Sequence, residues 1–184
     1  MKFNLHVLLL SLFLLSSCSQ STDTNLISKQ SIGLLTDSTE VRNLDLIFPN
    51  DSIAKFINKN RFNTTNRNIE IYDKDGKKLL TLTPKRIKDS LSTIKLIEIN
   101  SEQFKTSKGL HLKSSFKTLK DNYKISGVQN SIKNIIISVD DINSFFTIDK
   151  NDLPAELRFD MNLKIEAIQI PDDAKIKGFY VQWF

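Results

Sequence analysis

Ile69-Glu70-Ile71-Tyr72-Asp73-Lys74-Asp75-Gly76-Lys77-Lys78-Leu79-Leu80-Thr81-Leu82 is two short apolar runs about a polar hinge, and its reading decides the fold. Ile69 to Tyr72 and Leu79 to Leu82 have the length and composition of strands. Asp73-Lys74-Asp75-Gly76 has turn chemistry, because Asp bonds its own backbone and Gly76 is free to take a positive φ. The stretch predicts an antiparallel hairpin.

Outward from it, further strand patterns run from Ile53 to Ile57 and from Ile94 to Ile99. Beyond residue 110 come Ile132 to Val139, a turn at Asp140-Asp141, Phe145 to Ile148, Leu163 to Ile170, a turn at Pro171-Asp172-Asp173, and a last strand from Lys175 to Phe184. Two short stretches break this pattern. Val41, Leu44 and Phe48, and again Phe116, Leu119 and Tyr123, follow helical i, i+3, i+7 spacing. Ser38 and Ser114 suit N-caps, and Pro49 ends the first helix. The two helical stretches follow Gly33-Leu34 and Gly109-Leu110 respectively. The chain therefore reads as an α+β domain, an antiparallel sheet with two short helices packed on it. It further reads as two helix-plus-meander pseudo-repeats at about 32–100 and 108–184.

The beginning of the chain carries a different message. Met1-Lys2-Phe3-Asn4, an apolar run to Leu15, and Leu15-Ser16-Ser17-Cys18 have the layout of a bacterial lipoprotein signal: a positive start, a short apolar middle and small residues before the cut. Val7 to Leu15 falls well short of the roughly 20 apolar residues of a membrane span. Cleavage before Cys18, the only cysteine of the chain, predicts a signal peptide at 1–17 and lipid attachment at Cys18. Acyl chains there hold the protein to the membrane. Ser19, in place of an inner-membrane-retaining Asp, points to the periplasmic face of the outer membrane. The polar run SQSTDTNLISKQS at 19–31 reads with Cys18 as a lipid-anchored flexible tether over 18–31. A single domain follows over 32–184.

Composition excludes several classes. The net charge is +5, of which Lys2 in the signal contributes one, and the signs are interspersed. No basic stripe with stacking aromatics exists, so no nucleic-acid partner is expected. Twelve Phe residues supply a core, while only 5 Gly and 4 Pro oppose a fibrous or disordered chain. With Cys18 consumed by lipid and His6 lost with the signal, His111 is the sole thiol or imidazole left. No catalytic, cofactor-binding or metal-ligating residue is predicted, and no cofactor.

Individual motifs have plain explanations. Asp73-Lys74-Asp75-Gly76 opens like a calcium loop, but Lys77 and Lys78 occupy the fifth and sixth loop positions, where a ligand and a Gly are needed. Ser52-Ile53-Ala54-Lys55 and Ser114-Ser115-Phe116-Lys117 match Ser-x-x-Lys without the Ser-Asp-Asn and Lys-Thr-Gly companions of penicillin-binding enzymes. Asp140-Asp141 and Asp172-Asp173 sit where turns are needed. Asn63-Thr64-Thr65 is a glycosylation sequon by pattern only. In Gly178-Phe179-Tyr180-Val181-Gln182-Trp183-Phe184 both faces are apolar, which fits a strand covered on two sides and not the alternation of an outer-membrane barrel.

Five pieces in order carry a family resemblance: Leu44-Asp45-Leu46-Ile47-Phe48-Pro49, Asp75-Gly76-Lys77-Lys78-Leu79-Leu80, the Ile94 to Ser101 strand, Lys108-Gly109-Leu110-His111-Leu112, and Ile176 to Trp183. On these the chain resembles the sigma-E (RpoE)-regulated lipoprotein family. The resemblance implies an α+β envelope domain and no activity. The expectation is a non-enzymatic, lipid-anchored bacterial cell-envelope protein with a binding or accessory role and an envelope protein partner. The alternatives are a small-ligand or lipid-binding carrier and a hydrolase.

Overall fold

In the computed structural model, which describes residues 23–55 and 68–184, the chain opens with three two-residue strands. They are β1 (Leu26–Ile27), β2 (Ser31–Ile32) and β3 (Leu35–Thr36). They form an antiparallel meander that buries Ile27, Ile32 and Leu35. The domain thus begins before Ile32, and residues 23–31 are part of it, not of a tether. Their polar composition hides the few apolar side chains that dock. The expected signal segment, Cys18 and the sequon at Asn63 lie outside the described residues.

A 3₁₀ turn (Val41–Asn43) leads directly into α1 (Leu44–Ile47). Then come β4 (Ser52–Lys55), β5 (Ile69–Tyr72), β6 (Lys78–Pro84) and β7 (Ile94–Ile99), each antiparallel to the one before. The quoted hairpin forms as expected. Short β8 (Lys105–Thr106) returns to pair parallel with β1, closing a small second sheet. After it, α2 (Phe116–Asn122) precedes a second meander of β9 (Gly127–Asn130), β10 (Asn134–Val139), β11 (Ser144–Asp149) and β12 (Ile176–Gln182).

The two meanders meet at their last strands. β12 pairs antiparallel with β7, so the large sheet runs β4-β5-β6-β7-β12-β11-β10-β9. One row of partners crosses its centre: Ile69, Leu82, Ile97, Val181, Ser144 and Val139, all buried. One residue along, the row is Glu70, Thr81, Glu98, Tyr180, Phe145 and Ser138. The step of one residue moves every side chain to the other face. The first face joins Leu44, Phe116 and Leu119 of the helices in one hydrophobic cluster. Helices packed on an antiparallel sheet agree with the expected α+β class.

Each helix is hung on its own meander. The first N–H groups of a helix have no intrahelical acceptor, and here loop carbonyls supply one. Val41 N donates to Ser92 O at 3.0 Å and Arg42 N to Ser90 O at 2.9 Å. In the second half Phe116 N donates to Ala174 O at 2.8 Å and Lys117 N to Asp172 O at 2.9 Å. In both cases the acceptor loop leads into the fourth strand of the same meander.

Several sequence expectations need correction. Ser115, not Ser114, caps α2, accepting from Thr118 N at 3.2 Å. The residue before the first turn is Glu40, which makes no side-chain cap, so Ser38 is not one either. Leu163 to Ile170 is not a strand. Its end is a 3₁₀ turn (Ala167–Gln169) closed by the Gln169 side chain, which accepts from Glu166 N at 2.8 Å. β9 was not expected, and Gly127-Val128-Gln129-Asn130 is a strand because β10 offers it a ladder. The final strand buries Phe179, Val181 and Trp183 and stacks Tyr180 on Phe145 at 4.7 Å, but Phe184 is 88% exposed.

Candidate functional site

Where the small sheet abuts the first meander, a cleft of about 320 Å³ opens. The loop after α1 forms one wall. Pro49 has no N–H to continue the helix, so the chain turns, Asp51 N donates to Phe48 O at 3.3 Å, and Phe48, Pro49, Asn50 and Asp51 line the cleft in succession. The β5–β6 turn forms another. Asp73 Oδ1 accepts from Asp75 N at 3.0 Å and from Lys77 N at 2.8 Å, and Gly76 takes φ +76°. That turn presents Asp73 to the same cleft. Ile32, Leu79 and Phe104, all buried, and half-buried Ile47 supply the apolar surface. Thr24 and Asn25 stand at its N-terminal side.

The charges here are of one sign. Asp51 and Asp73 line the cleft, and among the described residues no basic one does. The Asp51 carboxylate has no hydrogen bond or ion pair among the described residues, and Asp73 Oδ2 has none either. Burial, and then the charge of Asp73, hold the Asp51 carboxyl above its ordinary value. A carboxylate without a partner, partly withdrawn from water beside another carboxylate, is unfavourable until something meets it. The pair lies far apart in sequence, and no motif joins its members.

The opposite face of the large sheet offers a contrast. Buried Glu70 accepts from Tyr72 Oη at 2.5 Å and from Lys78 Nζ at 2.6 Å, and Thr81 Oγ1 donates to Asn100 Oδ1 at 2.7 Å. The Glu70 hydrogen bond raises both the Tyr72 and the Lys78 pKa. These groups satisfy one another. A second depression, of about 380 Å³, carries Lys113, Lys175 and Lys177 opposite Asp149 and Asp152. Most of its charges have partners: Lys177 pairs with Asp149, Lys113 with Glu102, and Asp152 accepts from Lys175 N at 3.4 Å.

The residues weighed from sequence do not assemble into a catalytic site. Ser52 and Lys55 stand on one strand at odd spacing, hence on opposite faces, and Lys55 pairs with Asp45 at 3.0 Å. Ser114 Oγ accepts from His111 N at 3.0 Å, while Lys117 pairs with Asp121 at 2.7 Å. Asp140 accepts from Ser126 Oγ at 2.8 Å, and Asp172 pairs with Lys120. The Nδ1 of His111 lies 2.7 Å from Leu112 O, a loop contact. Among the described residues, no three His, Cys, Asp or Glu side chains are grouped to hold a metal ion. None of their helices is long and apolar enough to cross a membrane.

No protein family profile matches the chain, and no curated protein does. Among solved structures, the fold is similar to the crystal structure of the uncharacterized protein yfeY from Escherichia coli. The TM-score is 0.55 at 13% sequence identity, covering 86% of this chain and 99% of that one. At that identity the likeness is one of fold.

Proposed function

We propose that this chain is a non-enzymatic, lipid-anchored protein of the bacterial envelope, of the sigma-E-regulated lipoprotein kind, and that its binding site is the Asp51–Asp73 cleft. The observation that carries this is the unpartnered Asp51 carboxylate in a cleft with apolar walls. Binding sites of this kind combine an apolar lining with a few convergent polar groups. Placement supports an anchored role. Thr24 lies on the cleft, and the six residues from Cys18 span at most about 20 Å when fully extended. Acyl chains on Cys18 therefore hold the cleft close to the bilayer, at the periplasmic face of the outer membrane. Matching helix-to-loop hydrogen bonds in the two halves support their origin as a duplicated unit.

The experiment is site-specific photocrosslinking in cells with the full chain. A benzophenone amino acid at Leu34, 47% exposed on the cleft, is expected to capture one dominant envelope component; the same group at Phe159, 84% exposed and not among the cleft residues, is not. Equal capture at both positions would overturn the assignment of the site. A Cys18→Ser chain is expected in the soluble fraction. Its retention on membranes after a salt wash removes the anchor.

A further inference from the structure

The chemistry of the cleft also restricts what enters it. Resting on the reading above, we propose that the ligand is an organic ammonium on a small apolar body, its charge received by Asp51 and Asp73 and its body by Ile47, Phe48 and Phe104. Among the described residues every charged one that lines the cleft is a carboxylate. A ligand whose only charge is a carboxylate or a phosphate would bring a third negative charge into a partly desolvated space in which no described residue offers a cation. A neutral ligand would leave the Asp51–Asp73 repulsion in place. An ammonium removes it, donates to two oxygens that have no other partner, and can lie against Phe48 or Phe104.

Asp73 is suited to this role because its turn fixes it. Two backbone N–H groups hold Oδ1, which leaves Oδ2 as the oxygen able to meet a ligand. Asp51 belongs to the loop that follows α1 and precedes Ser52, whose pairing with Tyr72 sets the two carboxylates at the same end of the β4–β5 ladder. Protonation of Asp51 would remove half of the receiving charge. Among the described residues no charged group besides Asp73 lines the cleft to take its place, so affinity falls as acidification protonates Asp51. The same ammonium chemistry is found in phosphatidylethanolamine headgroups and in soluble amines.

The test uses the full chain in nanodiscs of phosphatidylglycerol alone, titrated calorimetrically with phenethylamine, 2-phenylethanol and phenylacetate. Phenethylamine is expected to bind saturably, and the alcohol and the acid at least about tenfold more weakly, the worth of one charge-assisted contact. Asp51→Asn, and Leu34→Arg on the exposed rim, are each expected to weaken phenethylamine by a similar factor. Equal binding of the alcohol or the acid, an unaffected Asp51→Asn, or no binding of phenethylamine overturns the inference. The crosslinking at Leu34 judges the cleft itself separately. Competition by added phosphatidylethanolamine assigns the ammonium to a lipid headgroup, and its absence assigns it to a soluble amine.

Discussion

Trp183 Nε1 donates to the carbonyl oxygen of Lys29 at 3.1 Å, joining the end of the last strand to the loop between the first two. Trp183 is 2% exposed while Lys29 is exposed, so the bond ties a buried ring to a surface loop. It explains why a stretch with the composition of a linker is held in place.

Trp183→Phe keeps an aromatic ring and removes the donor. The expected loss of stability is about 1 kcal/mol, the net worth of one hydrogen bond. Chemical denaturation measures it. Amide exchange of residues 26–36 is expected to rise more than that of β10, which distinguishes a local loss from a general one.

Gly33 and Gly76 both have positive φ, +56° and +76°, but their surroundings differ. A Cβ on Gly33 would lie 2.1 Å from Thr24 O, whereas on Gly76 it would meet nothing within 4 Å. Gly76→Ala is expected to cost about 1–2 kcal/mol, the left-handed penalty alone. Gly33→Ala must also displace backbone, and is expected to cost clearly more and to expose β1 to protease. Equal melting temperatures for the two variants would refute this difference.

The carboxylates predict opposite responses to acid. Hydrogen bonds from Lys177, Lys120, Arg86 and Lys113 are the main causes holding Asp149, Asp172, Asp89 and Glu102 below their ordinary values. Their contribution is present above the unfolded pKa values and is lost as pH falls through the lowered folded ones. All four are surface groups, so added salt is expected to flatten this limb. Asp51 has the reverse sign. Its folded pKa is raised, so its charged form opposes folding at neutral pH, and that penalty fades as pH falls through the raised value. Asp51→Asn is expected to melt higher than the parent at pH 7, with the gap closing on acidification. A lower melting temperature at pH 7 would show that the carboxylate has a structural partner.

Lys150 is 4% exposed, and its ammonium reaches only the Met161 sulfur, at 3.5 Å. No carboxylate meets it among the described residues. A buried charge without a counter-ion is costly, and an apolar side chain of like shape is preferable. Lys150→Met is expected to raise the denaturation midpoint by an amount equivalent to about 1 kcal/mol or more, measured in urea.

Much of the sheet was legible because its strands carry their own signals. Ile69-Glu70-Ile71-Tyr72 and Leu79 to Leu82 are local patterns around a turn with Asp and Gly, and they fold as read. Pro49 ends α1 as expected, for want of an N–H. Leu163-Lys164-Ile165-Glu166-Ala167-Ile168 alternates as well as any strand, yet it joins no ladder: β11 and β7 already flank β12, and at the β9 edge it meets a side chain in place of the backbone. Its chain crosses instead over Asn130, whose Nδ2 donates to Leu163 O at 3.0 Å. Strand periodicity records a preference, and only an available edge makes it a strand. The cleft was not legible for a related reason. Asp51 follows a helix end and Asp73 starts a hairpin; each has a sufficient local explanation, and only the β4–β5 register, which pairs Ser52 with Tyr72, brings the residues beside them to one space.

The seam between β7 and β12 sets an order of events. Each meander is built from neighbours in sequence, so its loops close cheaply and early. Ile97 must wait for Val181, which belongs to almost the last residues of the chain. Until then β7 has one bare edge, a row of N–H and C=O groups that any passing strand could occupy. A chain stopped short of Ile176 therefore keeps a complete first meander with its most apolar strand open to a stranger. Nascent or truncated forms are expected to be the aggregating species, while in the finished protein the large sheet is open only at β4 and β9 among the described residues.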